Sequence, residues 1–479
     1  MLERGGVNFE VWPEAIELGQ MFADEGYELA LVGGPVRDLL LHRPSHDLDF
    51  CTSARPEQFE PILRRFGHDG FWDMGRKFGT LGAMRRRPDG TEVKVEVTTY
   101  RSDEYDPDSR KPEVSYGDSL EGDLSRRDFT VNAMALTVPD LRFVDPFGGA
   151  NDLNRKILRT PVDPYQSFDD DPLRMMRAVR FVAQLGFSIE PETAEAITKM
   201  VDRIDIVSAE RGRDELTKML LSDRPRDGIE ALVDSGLADI VLPEIPALRL
   251  EIDEHHRHKD VFDHTMIVVD RAVALETGPD GPVPAPDLVL RLAALMHDIG
   301  KPKTRRFEPG GKVSFHRHDA VGAKLTRKRL KALRFDHHVV DDVSDLVDMH
   351  LRFHGYVDER WTDAAVRRYV KEAGPLYERL NRLTRADATT QNRRKALVFE
   401  HAMDEMEERV RQLKQQEDID AIRPDLNGDE IMQELGLKPG PMVGKAYRHM
   451  LDYRLDNGPV DHDVAVAELH RWYESQPEA

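Results

Sequence analysis

Two aspartates, Asp47 and Asp49, stand two residues apart in the stretch HDLDFCT. On a strand successive side chains alternate, so both carboxylates share one face while Leu48 and Phe50 turn toward a core. Two hard carboxylates side by side suit Mg²⁺, whose other positions go to water and phosphate oxygens. Two such ions can activate an attacking hydroxyl and stabilise a leaving pyrophosphate. Taken alone, the pair also describes a solvated strand face. It is preceded, however, by a short apolar strand (Leu29–Val32), then Gly33-Gly34 and a helix start at Pro35. That order builds a phosphate cradle from backbone N–H groups. Arg37, near the start of the helix, can add a bidentate phosphate contact. Gly33-Gly34 equally fits an ordinary strand–helix turn. Glu96, on a later strand, is either a third carboxylate of the cluster or a strand-surface charge.

The elements that must carry these groups follow from periodicity. An amphipathic run from Pro13 to Gly26 predicts a helix, and Asp47 to Cys51 alternates as a strand. Gly79 to Met84 and Glu92 to Thr98 predict two strands joined by the turn Arg87-Pro88-Asp89-Gly90. Residues 101–125 are polar and predict a loop. From Ser167 to Lys259 the pattern is helical, with arginines set among apolar residues, and it stays helical from Val261 to Thr390. A Pro/Gly loop at 275–288 interrupts it. Positions 255–354 hold eleven of the eighteen histidines. Gln391 to Ala479 reads as a charged helical tail interrupted at Leu426–Gly444, and no internal repeat is present.

Composition narrows the class. A chain of 479 residues accommodates two to four domains of roughly 100–200 residues each. With 40% hydrophobic residues, wholesale disorder is excluded. No stretch approaches the roughly 18 uncharged apolar residues of a membrane helix. The charged start MLERGGVNFE lacks the apolar run of a signal peptide. The single cysteine, Cys51, cannot form an intrachain disulfide, as fits a reducing cytosol. A cytoplasmic location without membrane contact is therefore expected. The net charge of −21 excludes a chain-wide basic footprint, so nucleic acid would have to meet local patches. Lys324 to Arg334 (KLTRKRLKALR) carries six basic residues, suited to a phosphate backbone or simply a solvated basic face.

LVGGPVRDLLLHRPSHDLDF, RRDFTVNAMA at 126–135 and DPFGG at 145–149 resemble successive motifs of the class II tRNA nucleotidyltransferases. That family comprises the CCA-adding enzymes and bacterial poly(A) polymerases. DDPLRMMRAVRFVAQLGF at 170–187 and ERGRDEL at 210–216 continue the series in order. The resemblance implies a multidomain α+β chain. A polymerase-β-like head, with a small mixed sheet and helices, spans 1–160, and an all-α neck spans 161–255. An HD domain at 256–390 and a helical tail at 391–479, contacting tRNA, complete it. It also implies that Arg127 and Asp128 contact phosphate and ribose. Asn132 either joins them or caps local structure.

The helix expected near Asp170 allows a direct chemical argument. Asp171 and Arg174 are three apart and would share one helix face. A carboxylate only accepts hydrogen bonds and a guanidinium only donates them. Cytosine and adenine each present an amino donor beside a ring-nitrogen acceptor; uracil and guanine present the reverse. An Asp/Arg pair thus accepts C and A and rejects U and G. In the family this motif is the amino-acid template for the incoming base. Without the family the two residues would read as a helix-surface ion pair. Arg177 and Arg180 continue the same face toward a triphosphate.

His264, the doublet His297-Asp298 and Asp387 resemble the ligand set of HD-domain phosphohydrolases, with His318 and His350 available for a second metal or a phosphate. Imidazole plus carboxylate suits Ni²⁺, Mn²⁺, Fe²⁺ or Co²⁺, and such an ion can activate water for phosphoester hydrolysis. Residues 426–450 resemble the tail element of CCA-adding enzymes that carry an HD domain. Gly440-Pro441 there starts a helix facing a phosphate, or the segment is a packing unit only.

The expected activity is template-independent addition of CCA to tRNA from CTP and ATP, with Mg²⁺ on Asp47 and Asp49. Gly75-Arg76-Lys77-Phe78-Gly79-Thr80 resembles the CCA-type strand more than that of a poly(A) polymerase. Addition of A only or C only, and an HD phosphohydrolase whose head only binds nucleotides, are the rival readings.

Overall fold

The protein's structure, a computed structural model, describes residues 11–43, 47–102, 115–117, 119–250, 260–309, 312–353, 362–389, 392–417 and 422–476. The chain folds as two compact units, residues 1–219 with 227–240 and residues 220–226 with 241–479.

The first unit begins with α1 (Pro13–Asp24), which starts on a proline and buries Ala15, Leu18, Gly19 and Phe22 along one face. There follow β1 (Leu29–Val32), α2 (Gly34–Leu40), β2 (Asp47–Thr52), α3 (Pro56–Phe66), β3 (Gly70–Trp72), β4 (Thr80–Arg86) and β5 (Glu92–Thr99). A short ribbon, β6 (Arg101–Ser102) with β7 (Ser115–Tyr116), leads to α4 (Leu120–Ser125), β8 (Ala135–Val138), β9 (Phe143–Val144) and α5 (Gly149–Arg155). The main sheet runs β3-β4-β5-β2-β1-β8-β9, and β2 with β5 is its parallel pair. It is the small mixed sheet that the motifs imply.

Alternation along β2 decides where the chemistry sits. Leu48 and Phe50 are buried, whereas Asp47 and Asp49 face outward. Cys51, two further on, is covered by Leu124 and Ala133. One end of this strand face is thus roofed over and the other left open.

The loop expected over 101–125 is only partly one. Ser119 caps α4 by accepting from the Gly122 N–H at 3.2 Å. The helix is held by Leu120 and Leu124, four apart on the core side; two apolar residues were too few to show a period. Residues 103–114 and 118 of that stretch lie outside the described residues.

The helical remainder of this unit comprises α6 (Pro164–Asp170), α7 (Leu173–Leu185), α8 (Pro191–Met200), α9 (Ala209–Leu220), α10 (Pro225–Asp234) and α11 (Leu237–Val241). A two-stranded pair, β10 (Ile157–Leu158) and β11 (Ser188–Ile189), lies among them.

The second unit contains α12 (Val261–Ala274), α13 (Leu288–Met296), α14 (Lys301–Thr304), the hairpin β12 (Arg306–Glu308) and β13 (Lys312–Ser314), α15 (His318–Ala332), α16 (His337–Met349), α17 (Asp363–Ala373) and α18 (Tyr377–Asp387). Helix α13 is buried continuously from Leu290 to Met296, as a helix apolar all round must be. Its one cation, Arg291, is paired with both oxygens of Glu276 at 2.6 and 2.7 Å.

The tail comprises α19 (Arg393–Gln416), α20 (Gly428–Leu435), α21 (Pro441–Asn457) and α22 (His462–Glu474). The expected interruption at 426–444 itself contains α20. Asn427 and Glu430 close a reciprocal capping box there, and Ile431 anchors the helix in a core with Met450 and Leu469. Among the described residues no helix is long and apolar enough to cross a membrane.

Candidate functional site

A cleft of about 1650 Å³ in the first unit collects most of the head and neck candidates. Gly33, Gly34, Arg37, Asp49, Arg127, Asp128, Asp171, Arg174, Arg177 and Arg180 all line it. Asp47 and Glu96 are not among its lining residues, but Glu96 sits directly beside Asp49 in the β2–β5 register. Asp49 opens into the cleft, whose surrounding walls still desolvate its carboxyl and raise it to about 6, and the Glu96 and Asp47 carboxylates add to the rise against Arg127. Three crowded carboxylates with one of them pushed toward its neutral form make a donor set that a divalent cation relieves. The residues therefore fit the metal that the motif implies.

Gly33 adopts φ +73°, and a Cβ there would lie 2.8 Å from Nη1 of Arg127. Glycine is thus required both for the turn and for the approach of that guanidinium. Arg127 is held by Asp123 at 3.1 Å. Arg37 donates to Oδ1 of Asn132 at 2.7 Å, and Asn132 in turn donates to Asp128 at 3.0 Å, so Asn132 joins the site. Burial favours a neutral Asp128, yet the Arg177 guanidinium and the donors of Asn132 and Phe129 hold its carboxyl below the usual range. Arg177 pairs with it at 2.5 Å. Arg180 is buried with Glu215 and donates to Gln184 at 2.5 Å.

The base-reading pair departs from expectation in one respect. Asp171 and Arg174 do not share a helix face. Helix α6 ends at Asp170, Asp171 is extended (φ −145°, ψ 97°), and α7 begins only at Leu173. Pro172 is the cause, because it disfavours helical backbone at the residue before it. Asp171 instead closes α6 as its C-cap residue and accepts from the N–H of Leu173, the first residue of α7, at 3.1 Å. Its ion pair is with Arg211 of α9, at 3.1 Å, and not with Arg174. Arg174 makes three hydrogen bonds: to Ser167 O at 3.1 Å, Ser167 Oγ at 2.8 Å and Arg126 O at 2.5 Å. A guanidinium has five N–H donors, so it is aimed by these bonds without being used up.

Sequence reasoning passed over Asp123, Ser167, Arg211 and Glu215 as individuals. Arg211 and Glu215 lay inside the ERGRDEL motif, and Asp123 stands one helical turn before Arg127. Ser167 gave no signal.

The second unit brings together all four expected HD ligands and both accessory histidines. His264 comes from α12, His297 and Asp298 from the end of α13, His318 from the start of α15, His350 from the end of α16 and Asp387 from the end of α18. His264, His297 and Asp387 can offer ligand atoms within 4.8 Å of one another, as can Asp298, His318 and His350. Asp298 joins the groups, with Oδ2 3.2 Å from His297 Nε2 and Oδ1 3.4 Å from His318 Nε2.

Nδ1 of His297, His318 and His350 lies 2.8, 2.8 and 2.6 Å from the carbonyls of Ala294, Phe315 and Val347. Those bonds make Nδ1 the donor in all three rings and turn Nε2 inward. Nε2 of His318 and of His350 is buried without a hydrogen-bond partner. Burial disfavours a charged His297, but the carboxylates of Asp298 and Asp387 raise it to about 10. Burial and the His297 charge push His350 down to about 4. Orphaned inward lone pairs beside a forced imidazolium are what a metal ion resolves, and the donor set fits one.

Gly300 makes the arrangement possible. A Cβ on it would lie 2.0 Å from the His318 carbonyl oxygen, so α14 and α15 touch through a residue without a side chain. Nearby, the basic run is partly neutralised: Arg327 pairs with Asp341, and Arg329 with Glu244 at 2.8 Å.

Comparison with known proteins agrees with this geometry. Residues 29–159 match the poly A polymerase head domain, 186–248 the probable RNA- and SrmB-binding site of polymerase A, and 261–392 the HD domain. The A-adding tRNA nucleotidyltransferase of Deinococcus radiodurans is 36% identical over 374 residues, covering 75% of this chain and 81% of that protein. The CCA-adding enzyme of Bacillus subtilis is 38% identical over 229 residues, covering 48% of this chain and 55% of that enzyme. The chain thus spans just over half the length of that CCA-adding relative. The crystal structure of the Bacillus stearothermophilus CCA-adding enzyme in complex with CTP superposes with a TM-score of 0.69 at 25% identity, covering 97% of this chain and 99% of that one. The Thermotoga maritima CCA-adding enzyme complexed with tRNA shares the fold, with a TM-score of 0.61 at 19% identity over 97% of this chain and 96% of that one. The chain is an enzyme of the tRNA nucleotidyltransferase family, with a poly(A)-polymerase-type head and an HD domain.

Proposed function

We propose that the protein adds CCA to the 3′ end of tRNA in the cytoplasm, using CTP twice and ATP once and releasing pyrophosphate each time. The observation that carries this reading is that one cleft holds Asp49, the four arginines Arg37, Arg127, Arg177 and Arg180, and the Asp171/Arg174 pair. Gly33, Gly34, Arg37, Arg127, Arg177 and Arg180 bind the triphosphate. Arg174 donates to the ring nitrogen of C or A, and Asp171 accepts from the amino group. Uracil and guanine would set acceptor against acceptor and donor against donor. Mg²⁺ held by Asp47, Asp49 and Glu96 would supply hydroxyl activation and charge neutralisation. Asp128 anchors Arg177 and lies where a ribose would be met. The tRNA is recognised by the shape of its acceptor end. The division of labour follows segments 1–160, 161–255, 256–390 and 391–479. Lys438, shortly before α21, and Lys445, within it, contribute a phosphate contact that a double Lys→Glu variant would weaken.

The test is single-nucleotide extension of tRNA transcripts ending before CCA, after C and after CC, with CTP, ATP, both, or UTP and GTP. Addition of C, C and A followed by a stop is expected. Extension of only the CC-ending transcript, and by A alone, would replace this with the A-adding reading, the activity for which the Deinococcus radiodurans relative is named. Long A tails would mark a poly(A) polymerase.

At the histidine–aspartate cluster, with Ni²⁺ or Mn²⁺ bound, the second unit hydrolyses phosphoesters. Wild type and Asp298→Ala are compared on a 2′,3′-cyclic phosphate with added metal. Hydrolysis by the wild type alone is expected, and hydrolysis by neither removes the proposal.

A further inference from the structure

Phe181 lies in the middle of α7 and is only 4% exposed. Its ring meets Phe129 edge-on, with centroids 5.9 Å apart and planes at 89°. Three guanidinium carbons surround it, at 5.4 Å for Arg37, 5.8 Å for Arg177 and 4.0 Å for Arg180. The arginines come from two separate helices, α2 and α7, yet all three line the cleft. Each is also tied to a carboxylate: Arg37 to Asp38 at 2.9 Å, Arg177 to Asp128 at 2.5 Å, and Arg180 to Glu215.

Three guanidiniums around one point repel one another, and each carboxylate draws its own arginine toward a separate pair. Asn132 and Asp128 bridge Arg37 to Arg177, but through hydrogen bonds that consume N–H donors; a hold on all three that spares those donors must be of another kind. An aromatic ring provides it, because its quadrupole attracts cations and makes no competing hydrogen bond. An aliphatic side chain of similar size would fill the volume and supply no attraction.

We propose that Phe181 is a positioning residue for the polyphosphate of the incoming nucleotide. Its ring gathers Arg37, Arg177 and Arg180 into one cradle whose outward N–H groups meet the phosphate oxygens. The inference rests on the nucleotidyl-transfer reading above and deepens it. Position 181 sets affinity for triphosphate, while Asp171 and Arg174 set the choice of base.

The test replaces Phe181 in the full-length protein with phenylalanines of increasing fluorination. Fluorine drains the negative face of the ring while nearly preserving its shape. Two quantities are read: affinity for inorganic tripolyphosphate by calorimetry, and KM for CTP and ATP in tRNA extension. Affinity is expected to fall stepwise, to about tenfold weaker for the most fluorinated ring. KM for CTP and for ATP rises in parallel, kcat changes less, and the preference for C and A over U and G does not move. Phe181→Leu shows the same loss of affinity, and its thermal unfolding reports whether packing is retained. A flat fluorination series overturns the proposal, since every analogue fills the same space and a purely packing role predicts no slope. Tripolyphosphate binding needs no turnover, which separates the two readings. A wild type that binds tripolyphosphate with the fluorination slope but extends no tRNA removes the nucleotidyl-transfer reading and leaves the cradle in place.

Discussion

The cleft of the first unit and the histidine cluster of the second are both built from charged groups, yet they are built oppositely. In the cleft, opposite charges are paired with each other: Asp123 with Arg127, Asp128 with Arg177, Asp171 with Arg211. The carboxylates of Asp123 and Asp128 are buried, but Arg127 and Arg177 keep part of their surface open, and the Asp171–Arg211 pair is the most exposed of the three. A substrate that brings its own charge and donors can take over Asp171 or Arg211 at modest cost, because such an open pair contributes little net energy. In the cluster, Nε2 of His318 and of His350 makes no hydrogen bond, the former lying 3.4 Å from Oδ1 of Asp298, and Asp298 is buried. Leaving such atoms unpaired is costly, so this site is arranged for an occupant that stays. One region is made for exchange, the other for retention.

Breaking the exchange site should give the largest effect. Asp49→Asn removes a central carboxylate of the strand cluster, and nucleotide incorporation should fall by at least about a thousandfold. Stabilisation of the second unit by added metal should persist in that variant, as two independent sites require. The retention site comes next. Wild type with Mn²⁺ or Ni²⁺ at about a hundred times its Kd should gain roughly 2.7 kcal/mol in unfolding free energy, and His297→Asn should lose most of that gain, read by thermal denaturation with and without chelator. A gain that survives in His297→Asn would break the comparison. Arg174→Lys keeps the charge but not the fork that Ser167 and Arg126 aim. Discrimination of C and A against U and G should drop by about tenfold or more, read as kcat/KM ratios.

The smallest effect sharpens the contrast with a pair that no substrate displaces. Glu14 accepts from Arg87 at 2.7 and 2.8 Å, and those hydrogen bonds hold its carboxyl below the ordinary glutamate value. A lowered carboxyl stabilises the fold in full above its unfolded value and loses that contribution as pH falls toward the folded one. Glu14→Gln should therefore cost about 1–2 kcal/mol near neutral pH, and the difference from wild type should vanish in acid, measured by denaturant titration across pH.

Strand β2 and the glycine turn were legible because alternation and a positive φ leave direct marks on sequence. So was the clustering of His264, His297, Asp298 and Asp387, through their ordered resemblance to HD-domain proteins. The break at Asp171 was legible too, in Pro172, but a three-residue spacing suggested a helix more loudly. What stayed hidden depends on contacts between distant segments. Ser167 aims Arg174, Glu215 holds Arg180, and α4 and α20 rest on caps and two or three apolar anchors each. None of these roles has a local pattern, because each is defined by a partner elsewhere in the chain.

Gly300 carries a lesson for anyone comparing relatives of this chain. It binds nothing, yet its missing methyl group is where the His318 carbonyl passes, 2.0 Å from the point a Cβ would occupy. Alanine at 300 would leave the four candidate ligands and both accessory histidines in the sequence while prising His318 away from Asp298. An inventory of those six residues would score such a relative as intact, although the cluster had already come apart. Loss of this site in evolution can begin at a position that no catalogue of ligands contains.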